Sequence, residues 1–272
     1  MEIDLYRVLL AFGLTLFAGL STAIGSAMAL FTKRTNAKVL PFALGLSAGV
    51  MIYVSFVELF AEARISLIEA YGSLRGTWFT TLAFFGGIAL IAIIDNFVPS
   101  GDNPHEVLDV NVVKDNPQCE VNKLYRLGVL SAIAIAIHNF PEGIATFYSS
   151  IKDPALGISI ALAVAIHNIP EGIAIAVPVY HATCNKKKAF LYALLSGLAE
   201  PLGAIIGFIL LLRLNVLNDA MFGFIFAIVA GIMVFISLDE LLPAAEKYGE
   251  HHTAIYGLIS GMAIMALSLL VL

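Results

Sequence analysis

Long apolar runs alternate with short polar stretches from one end of this chain to the other. A bilayer core about 30 Å thick takes roughly 20 apolar residues as α-helix. Eight runs meet that length, at about 5–31, 38–61, 78–98, 126–149, 155–180, 188–212, 219–243 and 253–272. The pattern predicts an all-α, polytopic membrane protein with eight transmembrane helices, forming a single domain over residues 1–272. The one long connection, about 99–125, is acidic, proline-containing and aperiodic, and reads as a mobile cytoplasmic loop.

Composition sharpens this picture. Of 272 residues, 60% are hydrophobic and 13% charged, whereas a soluble domain carries roughly a quarter charged residues. The net charge of −5 comes with no basic patch, so nucleic acid is excluded as a partner and the lipid bilayer takes its place. The N-terminal MEIDLYRVLL lacks a cationic stretch ahead of its apolar run and reads as a retained first helix. Cys119 and Cys184 fall in polar loops, form no CxxC pair and read as incidental thiols. Basic residues set the orientation. The odd-numbered loops hold ten: Lys33, Arg34, Lys38, Lys114, Lys123, Arg126, Lys186, Lys187, Lys188 and Lys247. The N-terminus and even-numbered loops hold five: Arg7, Arg64, Arg75, Lys152 and Arg213. The odd loops are therefore expected in the cytoplasm and both termini outside.

The chain also repeats itself. HNFPEG at 138–143 returns as HNIPEG at 167–172; AGVMIYVSFVEL at 48–59 aligns with AGIMVFISLDEL at 230–241. GLSTAIGS at 19–26 matches GLAEPLGA at 197–204, and more weakly GIALIA at 87–92 resembles GMAIMA at 261–266. Spans one, two and three thus match six, seven and eight, with five crossings between partners. Five is odd, so each copy enters the membrane from the opposite side. The result is a 3+2+3 inverted repeat with spans four and five at its centre, an architecture of secondary transporters that bind substrate near the midplane.

Those central spans carry ionisable groups, which cost several kcal/mol in lipid. Positions i and i+4 share a helix face, so His138 and Glu142 point together with Asn139 within reach, and His167, Asn168 and Glu171 repeat the arrangement. Imidazole with carboxylate suits zinc, iron, manganese or cobalt better than calcium or magnesium. Spacing alone leaves open whether one ion or two bind. Pro141 and Pro170 remove helix hydrogen bonds from the carbonyls of Ile137 and Ile166, which is expected to widen both helices locally. Glu200 in span six is a third deep carboxylate, and its repeat counterpart is Thr22. Glu58, Asp239 and Glu240 near span ends read either as way-stations or as solvated interfacial groups. His105, His181, His251 and His252 fall in cytoplasmic loops, and the Gly45/Gly49, Gly203/Gly207 and Gly257/Gly261 pairs read as close helix packing. No lysine or arginine occupies the core of a span, so the buried field favours cations.

The doubled HNxPEG, the AEPLG of span six and the eight-span layout resemble the ZIP family of divalent metal transporters over essentially the whole chain. The resemblance implies import of Zn2+, and often of Fe2+, Mn2+, Co2+ or Cd2+, across the cytoplasmic membrane by a homodimer without a prosthetic group. It also implies a binuclear site: one ion held by His138, Glu142, His167 and Glu171, the second by Asn139, Glu142, Asn168, Glu171 and Glu200. Many relatives carry a histidine-rich loop between spans three and four, whereas this loop holds only His105. The rival class is an intramembrane metalloenzyme. It is disfavoured because HExxH is absent and no serine or cysteine nucleophile adjoins the histidines; GxxxxGK[ST] is absent too, which argues against ATP-driven pumping.

Overall fold

A computed structural model describes residues 4–31, 39–96, 117–214, 219–248 and 251–271. Residues 97–116, with His105 and most of the expected mobile loop, lie outside the described residues. The described regular structure is entirely helical. The first span is α1 (Leu5–Phe31). The second joins α2 (Val39–Val54) through a π-helical turn at Ser55–Leu59 to α3 (Phe60–Tyr71), and the third is α4 (Ser73–Asn96). The centre is α5 (Pro117–Lys152) and α6 (Pro154–Thr183). The sixth span is α7 (Lys186–Gly197) followed by α8 (Ala199–Leu214). The seventh is α9 (Asp219–Ile236), a π-helical turn at Ser237–Leu241 and α10 (Leu242–Tyr248), and the last is α11 (His251–Val271). Seven spans are long and apolar enough to cross a membrane over their described residues. The eighth is α5, which packs against α6 and α8 inside the bundle.

Two boundaries differ most from the sequence expectation, by about ten residues each; span three begins at Ser73 and span seven ends at Tyr248, five residues beyond the expected 78 and 243. The second span runs on to Tyr71 instead of ending near 61, because Glu62, Arg64 and Glu69 lower hydropathy without lowering helix propensity. It closes at Gly72, whose φ of +81° favours a residue without Cβ, and α4 begins at the next residue. The helix of span four begins at Pro117, so the last part of the expected loop is helical. Elsewhere local signals place the ends. Asp153 caps α6 by accepting from the Ala155 N–H at 2.8 Å, with Pro154 at the first helical position. Asn185 caps α7 by accepting from the Lys188 N–H at 3.0 Å.

The inverted repeat is visible in the packing. A Cβ at Gly25 of α1 would collide with the carbonyl of Ile169, and one at Gly203 of α8 with that of Phe140, its repeat counterpart. Gly172 meets the Thr22 carbonyl as Gly143 meets that of Glu200. Gly49 meets Leu258 as Gly231 meets Phe84, and Gly261 meets Leu46 as Gly87 meets Ile228. The last two pairings confirm the three/eight match that is weak in sequence. The two π-helical turns occupy aligned positions as well. In lipid no hydrophobic effect drives helices together, and small residues permit the close approach that dispersion and Cα–H···O contacts require. The expected Gly45/Gly49 and Gly257/Gly261 pairs interlock α2 with α11; Gly203 is also in close contact, while Gly207 makes only ordinary contact with Ile144.

The bundle has a centre and a rim. The apolar window of α6 is 67% buried, that of α11 only 22%. Leu82 and Phe85 of α4 and Ile259 and Leu267 of α11 remain exposed, as suits a lipid-facing surface. Phe12, Phe147 and Phe208 pack rings at 5.0–5.9 Å between centroids and hold spans one, four and six together beside the site.

Candidate metal site

The loop between α5 and α6 is the single residue Asp153, so the two helices lie antiparallel and in contact. This brings the two HNxPEG faces together. His138 Nε2 lies 3.3 Å from Glu171 Oε2, and His167 Nε2 lies 3.4 Å from Glu142 Oε2. Each histidine therefore pairs with the glutamate of the opposite helix. The asparagines extend the symmetry: Asn139 donates to the Ser196 carbonyl at 3.3 Å, and Asn168 to that of Ala18, the repeat counterpart, at 2.9 Å. The Asn168 amide also donates to Glu200 Oε1. Glu142 and Glu171 both stand within electrostatic reach of Glu200. All seven residues expected from sequence are buried, none more than 2% exposed; six of them are linked through the two His–Glu pairs and Glu200, while Asn139 is held on the Ser196 carbonyl.

Local structure explains the gathering. Span six breaks between α7 and α8 at Leu198, which places Glu200 in the first turn of α8. Pro201 lacks the N–H that would bond the Gly197 carbonyl, and that carbonyl instead meets Gly19 of α1. Pro141 and Pro170 lie inside helices that continue through them as α-helix; the widened turns expected there are found in the second and seventh spans. Those turns carry Glu58, Asp239 and Glu240, all partly buried, and Glu240 is within electrostatic reach of His138.

A telling feature is what the protein leaves unbonded. His138 Nδ1, Asn139 Oδ1, Glu142 Oε1, His167 Nδ1, Asn168 Oδ1, Glu171 Oε1 and Glu200 Oε2 are buried without a hydrogen-bond partner. Native interiors carry a few such atoms per hundred residues; here one falls on every member of a seven-residue set. Among the described residues no three His, Cys, Asp or Glu side chains are gathered around one point; the histidines and glutamates of the two motifs are held in pairs instead. The hydroxyls of Thr22, Ser26, Thr146 and Ser196 are unbonded too. Sequence reasoning gave these no role, although Thr22 is the counterpart of Glu200 and Thr146 lies one turn beyond Glu142.

Other expected groups stand apart. His251 pairs with Glu246 at 2.8 Å and adjoins His252; both are exposed, as is His181. On the far side, a cleft of about 300 Å³ is lined by Glu58, Glu62, Lys152, Asp153 and Ser159. Lys152 spans it, 3.1 Å from Glu62 and 3.1 Å from Ser66.

These features define a multi-pass membrane protein built around a buried, acidic nitrogen-and-oxygen site at the centre of an inverted repeat. The chain belongs to the ZIP zinc transporter family, whose model matches residues 105–269. It is 61% identical over 269 residues to the zinc transporter ZupT of Lysinibacillus sphaericus, covering 98% of each chain. To that of Streptococcus mutans it is 60% identical over 260 residues, covering 96% of each. To that of Clostridium perfringens it is 55% identical over 279 residues, covering 98% of this chain and 97% of the relative.

Proposed function

We propose that this protein imports zinc across the cytoplasmic membrane, with the cross-paired site on spans four, five and six as the transport site. The observation that carries this is the burial of all seven residues, each retaining one unbonded donor or acceptor atom, with each histidine paired to the glutamate of the opposite helix. Zinc is the cargo named for the relatives, and the imidazole–carboxylate set also suits iron, manganese, cobalt and cadmium. A cation replaces the hydrogen shared within each His–Glu pair, that hydrogen moving to the unbonded Nδ1 of its own histidine, so both glutamates turn from acceptors into ligands. His138, Glu142, His167 and Glu171 hold one ion. Asn139, Asn168 and Glu200 hold a second, with Glu142 and Glu171 bridging.

With both termini outside, the cleft at Glu58 and Glu62 faces the exterior and Glu240 faces the cytoplasm. Between cleft and site lies a small cavity lined by Leu59, Ile160 and Thr146 together with Glu142. Zinc is captured at the carboxylate-lined outer mouth, dehydrates against the site oxygens and leaves along the His138–Glu240 side. A dication moving inward gains about 4.6 kcal/mol per 100 mV of inside-negative potential, twice the single-charge value, so import needs no nucleotide.

Zinc titration of the purified protein tests the binuclear assignment. The expected stoichiometry is two ions per chain, falling to one in Glu200→Gln. Two ions retained in that variant, or one in the unmodified protein, would refute the assignment.

A further inference from the structure

Buried serine and threonine hydroxyls in this bundle have a habitual partner. Thr15, Ser55, Thr80, Ser149 and Ser237 each donate to the carbonyl four residues back, at 2.6–2.9 Å. Thr22 does not, although it is 0% exposed. Its own i−4 carbonyl, on Ala18, is taken by the Asn168 amide. The Thr22 hydroxyl lies instead against span six: a Cβ on Gly197 would stand 3.0 Å from Thr22 Oγ1. The preceding residue, Ser196, is the one whose carbonyl holds Asn139. Thr22 and Asn139 thus approach successive residues of span six, Gly197 and Ser196, and each keeps an unbonded oxygen. The pseudo-two-fold relates this pair to Glu200 and Asn168, which are in contact.

We propose that Thr22 Oγ1 is a further oxygen ligand of the transported cation. It completes with Asn139 a neutral lobe opposite the anionic lobe of Asn168 and Glu200. The argument rests on the reading of this site as the cation site. An orphaned hydroxyl in a dry interior costs free energy unless something accepts its lone pair. A divalent cation between Glu142 and Glu171 does so without adding negative charge. The asymmetry has a use: a fourth carboxylate would bind a dication more tightly and release it more slowly, whereas a hydroxyl contributes a ligand that lets go.

The test replaces Thr22 by cysteine in a protein whose Cys119 and Cys184 are both serine, and probes it with Cd2+. The background protein is expected to bind Cd2+ without ultraviolet sulfur-to-cadmium charge-transfer absorption. Thr22→Cys is expected to acquire that absorption at one sulfur per chain. In parallel, Thr22→Val is expected to bind Cd2+ about tenfold more weakly, the lower end of what loss of a supporting polar partner costs a metal site. Thr22→Ser should bind as the background does. No charge-transfer band in Thr22→Cys, or equal affinities of Thr22→Val and Thr22→Ser, would overturn the proposal while leaving the main site intact. Failure of the background protein to bind Cd2+ would overturn the reading of the site itself, and this inference with it.

Discussion

At the scale of the residue, the site is held by exchange between two helices. His138 is paired with Glu171 and His167 with Glu142, so removing one imidazole strands a carboxylate on the neighbouring span. His138→Ala and His167→Ala are therefore expected to weaken zinc binding by similar factors, each at least tenfold, since even outer-shell partners are worth 10–100-fold. Calorimetric titration of the two variants checks this; a loss in one alone would contradict the pairing. The seven ligand candidates were legible because polar and ionisable groups in lipid stand out against an apolar background. Thr22, Thr146 and Ser196 were not, because a helix hydroxyl that satisfies itself on its own backbone looks the same in sequence as one that does not.

At the scale of the element, glycine contacts and π-helical turns set how spans meet. Gly143 lies against the Glu200 carbonyl, so even a methyl there forces α5 and α8 apart, whereas Gly86 has nothing within 4 Å of its would-be Cβ. Gly143→Ala is expected to cost about 1–3 kcal/mol, as overpacking does, and to lower the melting temperature in detergent. Gly86→Ala should leave it unchanged or slightly raised; equal shifts in both would contradict the packing. The three strongest repeat matches were readable where both copies line the buried centre. The three/eight match was faint because α4 and α11 have windows only 28% and 22% buried, and lipid constrains hydrophobicity more than identity. The π-helical turns left no sequence signal: Ser55–Leu59 and Ser237–Leu241 contain neither glycine nor proline. The prolines in spans four and five pointed to widening in the wrong helices.

At the scale of the molecule, the proposed orientation rests on parity and on the distribution of basic residues. Cys184 is exposed at the turn between α6 and α7, on the side assigned to the cytoplasm. In right-side-out vesicles with Cys119→Ser, a membrane-impermeant maleimide is expected to leave Cys184 unlabelled until the membrane is opened. Labelling from outside would invert the topology and, with it, the direction assigned to the Glu58 and Glu240 mouths.

The central claim is that zinc crosses the bilayer through the paired glutamates of spans four and five. Its most direct test is zinc influx into liposomes that contain the purified protein and an enclosed zinc-sensitive dye. The unmodified protein is expected to give saturable, time-dependent influx, faster with an inside-negative potential, and Glu142→Ala and Glu171→Ala, folded and inserted equally well, to give none. Influx through either variant at the unmodified rate would contradict the account.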